Sequence, residues 1–155
     1  MLALSLTREN DMRHTIRAAV AAGALSAVAA LGVAHSGGNT GPVHVDPATA
    51  TYKELTPGAW QSVVWGDSTT GAHAVFTKFA PNFSAGLHTH TNDLRIVVVK
   101  GAYIYKPEQG DAIRVTAGQY LLLPGGVRHA TGSDPTEETI FYQEADGKFD
   151  LNLVE

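Results

Sequence analysis

An all-β sandwich or barrel is the fold class this sequence predicts, and three observations lead to it. From about Tyr52 onward, short runs of β-branched, aromatic and aliphatic residues alternate with turn residues at regular spacing, the pattern of all-β domains. Outside an Ala-rich N-terminal region, no segment carries a convincing helical period. No stretch of the chain repeats another, so the pattern describes one barrel and not two in tandem.

The elements follow in order. Arg13, His14 and Arg17 form a basic cluster, and a small apolar run extends from Ala18 to Leu31. Gly32-Val33-Ala34 then supplies small residues. This is the order of a secretory signal, so residues 1–34 are expected to be a signal peptide, with translation beginning at Met1 or Met12. The run is too short and too weakly apolar to favour a spanning helix; an uncleaved Ala-rich anchor is the alternative. The expected location is periplasmic or secreted, with no stable membrane anchor after cleavage. Residues 35–51 read as a linker, because Ser36-Gly37-Gly38-Asn39-Thr40-Gly41-Pro42 is full of breakers. His35 and His44 there read as loop histidines.

Residues 52–155 form the expected domain. Its strand candidates are Trp60–Trp65, Ala72–Phe79, Leu87–Thr91, Leu94–Val99, Ala102–Tyr105, Ile113–Thr116, Tyr120–Leu123, Val127–Thr131, Thr139–Glu144 and Phe149–Leu153. Turn segments such as 80–86 and Lys106-Pro107-Glu108-Gln109-Gly110-Asp111 separate them. The formal net charge is −4 and there is no basic run, which argues against a nucleic-acid partner. Cysteine is absent, so disulfides and thiolate metal sites are excluded.

His88-Thr89-His90 places two imidazoles two residues apart. On a strand such side chains share a face, so both rings can enter one cavity. Gly118 to His129 forms the second informative stretch, with Pro124 and Gly126 shaping a turn before His129. If His129 returns on a neighbouring strand, three imidazoles meet. Imidazole suits zinc, iron, nickel or copper.

These two stretches resemble the motifs of the cupin superfamily, the small jelly-roll barrels, over about Trp60 to Val154. The Phe149-Asp150-Leu151 tail is similar to that of compact single-domain bacterial cupins. Gly118, Pro124, Gly126 and His129 match the second cupin motif, whose usual late Asn is Ser133 here. His88, His90 and Gly101 match the first. Its opening Gly is replaced by Asn82, which also tolerates left-handed backbone. Its metal-binding Glu falls on Leu94.

The resemblance implies a cupin jelly-roll β-barrel with one divalent metal held by His88, His90 and His129. Fe(II) is the favoured ion; zinc, nickel, manganese and copper are alternatives. Without the Glu, three neutral imidazoles leave the full charge of the ion at the site, which favours an anionic ligand. The arrangement is similar to that of three-histidine dioxygenases acting on β-diketones or thiols. An Fe(II) dioxygenase for a small anionic or enolisable substrate is therefore the leading expectation. A non-enzymatic metal or small-molecule binding module, and a metal-dependent lyase or isomerase, are the alternatives. A homodimer is expected from resemblance alone.

Leu94, Ile96 and Val98 share one strand face and are expected to form the pocket wall. Glu144, with Tyr142 on the same face, is a weak candidate for catalysis, set against an exposed strand charge. Asp93 is a lesser candidate for a loop carboxylate ligand. Arg95 is expected at the surface, and His73 either at a cavity mouth or in the core. Tyr103, Tyr105, Trp60 and Trp65 read as core or contact residues.

Overall fold

A computed structural model describes residues 41–154 of the chain. The signal-peptide expectation, and the part of the linker before residue 41, lie outside the described residues.

Among the described residues, eleven strands form two antiparallel sheets. They are β1 (Lys53–Thr56), β2 (Ala59–Gly66), β3 (His73–Phe79), β4 (Ser84–Thr89), β5 (Leu94–Lys100) and β6 (Ala102–Pro107), followed by β7 (Ile113–Thr116), β8 (Tyr120–Leu123), β9 (His129–Ser133), β10 (Thr139–Ala145) and β11 (Asn152–Leu153). One sheet has the order β1-β2-β3-β10-β5-β8, the other β11-β4-β9-β6-β7. From β3 onward the chain passes repeatedly between the sheets, so sequence neighbours such as β4 and β5 lie on opposite walls. Among the described residues there is no helix.

Period-two burial shows why these segments are strands. On β5, Leu94, Ile96 and Val98 are buried while Val97 and Val99 are exposed. On β10, Thr139, Phe141, Gln143 and Ala145 face inward, with Tyr142 and Glu144 on the other face. The inner faces meet in one core, with Phe79, Ile96, Val98 and Phe141 from the first sheet and Tyr103 and Val115 from the second. Burying side chains of this size contributes about 1.5–3 kcal/mol each.

The described residues depart from the sequence reading in four places. Strand β1 was not expected, because Lys-Glu-Leu-Thr is short and polar; it pairs with β2 through backbone bonds while its four residues stay exposed. Among the described residues of the supposed linker there is no strand, yet Asp46 organises a turn there, its Oδ1 accepting from Ala48 N at 2.9 Å. Within the run 149–153, only Asn152 and Leu153 pair with a strand. Strand β4 begins at Ser84, inside the expected loop.

Candidate metal centre

Register brings the histidines together. His88 on β4 and His129 at the start of β9 are direct cross-strand partners. His90 lies one residue past the end of β4. The ring centroids of His88 and His129 are 4.4 Å apart, those of His88 and His90 4.9 Å, and those of His90 and His129 5.3 Å. All three residues are buried, and one ring nitrogen from each lies within 4.8 Å of the others.

The loop before β9 explains the glycine-rich spacing. Gly126 N donates to His90 O at 2.8 Å, and Gly125 N donates to Asp93 Oδ1 at 2.8 Å. A Cβ on Gly125 would stand 2.4 Å from Thr91 O, an impossible approach. Only glycine lets loop 124–128 press onto loop 90–93, and that contact sets where β9 starts and where His129 points. At the other end of β4, Asn82 adopts φ 60°, the left-handed conformation expected of it. Ser133 Oγ donates to Ala80 O at 2.6 Å and accepts from Phe83 N at 2.9 Å, pinning that turn to β9.

Backbone carbonyls fix each imidazole. Nδ1 of His88 donates to Gly86 O at 2.6 Å, that of His90 to Asp150 O at 2.5 Å, and that of His129 to Val127 O at 2.9 Å. A carbonyl only accepts, so each Nδ1 carries the hydrogen and each Nε2 presents a lone pair. His129 Nε2 is buried without a hydrogen-bond partner. Burial, aided by the neighbouring rings, lowers the His88 pKa and brings that of His90 down to about 4. At neutral pH these two rings are uncharged, the form that binds metal. Converging lone pairs, an orphaned ligand nitrogen and oriented tautomers fit a divalent ion of the kind imidazole holds.

No carboxylate among the described residues joins the three histidines. Leu94, at the position of the missing Glu, is buried and lines the same cavity as His88 and His90. Asp93 is engaged by Gly125 and serves the loop. The expectation for Tyr142 and Glu144 is corrected: Tyr142 Oη donates to Glu144 Oε2 at 2.8 Å on the face turned away from the cavity. The strand's period carries both outward, and the inward residue is Gln143. The wall expectation is corrected in part, because Ile96 and Val98 share the face of Leu94 but are packed in the core and do not line the cavity. Arg95 lies at the surface, 2.8 Å from Asp146.

The cavity beside the histidines has a volume of about 150 Å³, close to one that holds a benzene-sized molecule. Phe79, Phe141, Phe149 and Leu94 make it mainly apolar. Gln61, Thr77 and Gln143 line it from the first sheet, and a Tyr103–Thr131 hydroxyl pair at 2.9 Å lines it from the second. Sequence reasoning gave the three polar first-sheet residues no role. The alternation that makes Phe141 inward would have marked Gln143 as well. Asp150 was also missed as a positioner. Its carbonyl holds His90 while its carboxylate accepts from Thr91 N at 2.8 Å and Thr91 Oγ1 at 2.6 Å.

A family model described as the ChrR cupin-like domain matches residues 40–147. The chain belongs to that cupin family. The match begins within the segment read as a linker. The cupin fold is shared with the polyketide cyclase RemF from Streptomyces resistomycificus, at TM-score 0.61 and 19% identity over 72% of this chain and 84% of that one. KdgF from Halomonas sp. gives TM-score 0.56 and 21% identity over 69% of this cupin and 94% of that chain. A Rhodobacter sphaeroides structure of SigE in complex with the anti-sigma ChrR gives 0.53 and 18%, over 65% of this cupin and 51% of that chain. At these identities the likeness is one of fold. The search of curated proteins finds no match.

Proposed function

We propose that this cupin is a metal-dependent enzyme of the Fe(II) dioxygenase type, acting on a small anionic or enolisable molecule in the periplasm or outside the cell, and that it works as a homodimer. The observation that carries the reading is the convergence of three imidazoles with no carboxylate among them in the described residues, beside a mainly apolar cavity. A divalent ion held by His88, His90 and His129 would keep its full charge, polarise an anionic oxygen and offer open positions for substrate and O2.

The chain's own residues supply the rest. The carbonyls of Gly86, Asp150 and Val127 keep the three rings aimed. Phe79, Phe141 and Leu94 give the cavity a mainly apolar lining, against which electrostatic interactions are stronger than in bulk water. No Asp, Glu, Lys or Arg lines the cavity among the described residues. Burial raises the Tyr103 pKa, so its hydroxyl stays neutral and serves as a hydrogen-bonding group. With no protein base at hand, substrate must arrive ionised or lose its proton on binding.

The test is oxygen uptake by tag-free, iron-loaded protein offered β-diketones and thiols. The reading expects uptake with iron and none with zinc. Bound iron without uptake, across both classes, would contradict it. Non-oxidative turnover would then indicate a lyase or isomerase, and retained ligand binding without turnover a binding module.

A further inference from the structure

Gln143 is the one residue of β10 whose side chain is polar, buried, inward and incompletely paired. It is 4% exposed, lines the cavity, and its Nε2 has no hydrogen-bond partner. An unpaired buried amide is a standing cost to the folded chain. It faces a mainly apolar space, on the sheet opposite the strands that carry His88 and His129. Close by on the same sheet, Gln61 Nε2 donates to Thr77 Oγ1 at 3.4 Å, so that amide already has an acceptor and Gln143 has none.

We propose that Gln143 Nε2 is a specificity-determining donor, which selects ligands carrying two oxygen functions. An anionic oxygen lies at the histidine wall, and a second, neutral acceptor such as a ketone accepts from Gln143 across the cavity. This deepens the functional reading above and rests on it. The substrate class is a short carboxylate or similar anion with an apolar body and one further carbonyl oxygen, small enough for about 150 Å³. A ligand lacking the second oxygen leaves Nε2 unpaired and loses the bond that would have satisfied it. Glu144 and Tyr142, one residue to either side, face outward and pair with each other, so the donor role falls to Gln143 alone on this strand.

The experiment compares wild type and Gln143→Met, both cobalt-loaded, by calorimetric titration. The probes are azide, hexanoate and the 3-, 4- and 5-oxohexanoates. Azide reports the metal alone. Wild type is expected to bind at least one oxo acid about tenfold tighter than hexanoate. In Gln143→Met that preference should shrink to within about threefold, with azide affinity unchanged. The metal-free Gln143→Met protein should melt about 2–5 °C higher than wild type, because an unpaired amide has been replaced by an apolar chain. A purely structural glutamine would give the opposite shift.

The proposal is overturned if wild type binds hexanoate as tightly as every oxo acid, if the preference survives the substitution, or if azide binds and none of the acids does. Failure of azide and of all four acids to bind the wild-type protein would instead remove the metal reading, and this inference with it. Should Gln143→Met fail to fold, Gln143→Leu serves. It removes the donor and adds no protonatable group, so the expected loss of the oxo-acid preference is the same, and a retained preference overturns the proposal.

Discussion

His73 and His129 look alike one residue at a time. Both are buried, both direct Nδ1 at backbone carbonyls, and both leave Nε2 without a partner. Their surroundings separate them. His73 Nδ1 lies 3.0 Å from Gly71 O and 3.0 Å from Gly147 O, which ties the start of β3 to the turn after β10. Among the described residues His73 joins no cluster of three ligating groups, whereas His129 shares its space with two more imidazoles. A buried histidine with a free nitrogen is therefore a structural brace unless other lone pairs meet it. Convergence, set by β4–β9 register, distinguishes the metal centre from the brace.

The largest expected effect breaks that pairing directly. His129→Ala should weaken metal binding at least about hundredfold with β structure retained, by competition titration and circular dichroism. His73→Ala should leave metal affinity within about twofold while lowering stability by roughly 2–4 kcal/mol. Equal loss of metal in both would erase the distinction.

Leu94→Glu sharpens it next. Leu94 faces the cavity of His88 and His90, so a carboxylate there would join the metal set. Metal affinity should rise about tenfold or more, and the metal-free protein should lose about 2–4 kcal/mol from an unpaired buried charge. Unchanged metal affinity would mean that residue 94 does not reach the ion.

A smaller effect concerns pH. The His90 pKa falls from 6.5 unfolded to about 4 folded, through burial. Between these values the unfolded chain binds more protons, so the stability of metal-free protein falls as pH drops through this window and is fully present above about 6.5. Urea titrations at pH 7 and pH 4.5 should differ by up to about 3 kcal/mol from this group. In His90→Ala that slope should flatten.

The smallest effect is at the outer face. Glu144→Gln should change metal and ligand affinity by less than about twofold and stability by less than about 0.5–1 kcal/mol, because its bond to Tyr142 is partly solvated.

Much of this architecture is legible in the sequence, for identifiable reasons. Strand interiors such as Leu94–Val99 announce themselves by composition, and the spacing of His88, His90 and His129 survives because glycine and proline at 124–126 admit only a narrow loop geometry. Asn82 could be read as left-handed because few residues tolerate φ 60°. What stayed hidden depends on pairing that the chain does not spell out. Strand β1 is made by its partner's backbone, not by its own side chains. Face assignment on β10 turns on a single residue, and a carboxylate drew attention that belonged to the neighbouring amide. Asp150 acts partly through its carbonyl, which no side-chain motif records.

The central claim is that three imidazole nitrogens, and no protein carboxylate, hold one divalent ion. Anomalous diffraction from crystals of metal-loaded protein tests it most directly. The account predicts a single peak about 2.0–2.2 Å from Nε2 of His88, His90 and His129. A peak elsewhere, or one sharing fewer than three of these nitrogens, would contradict it.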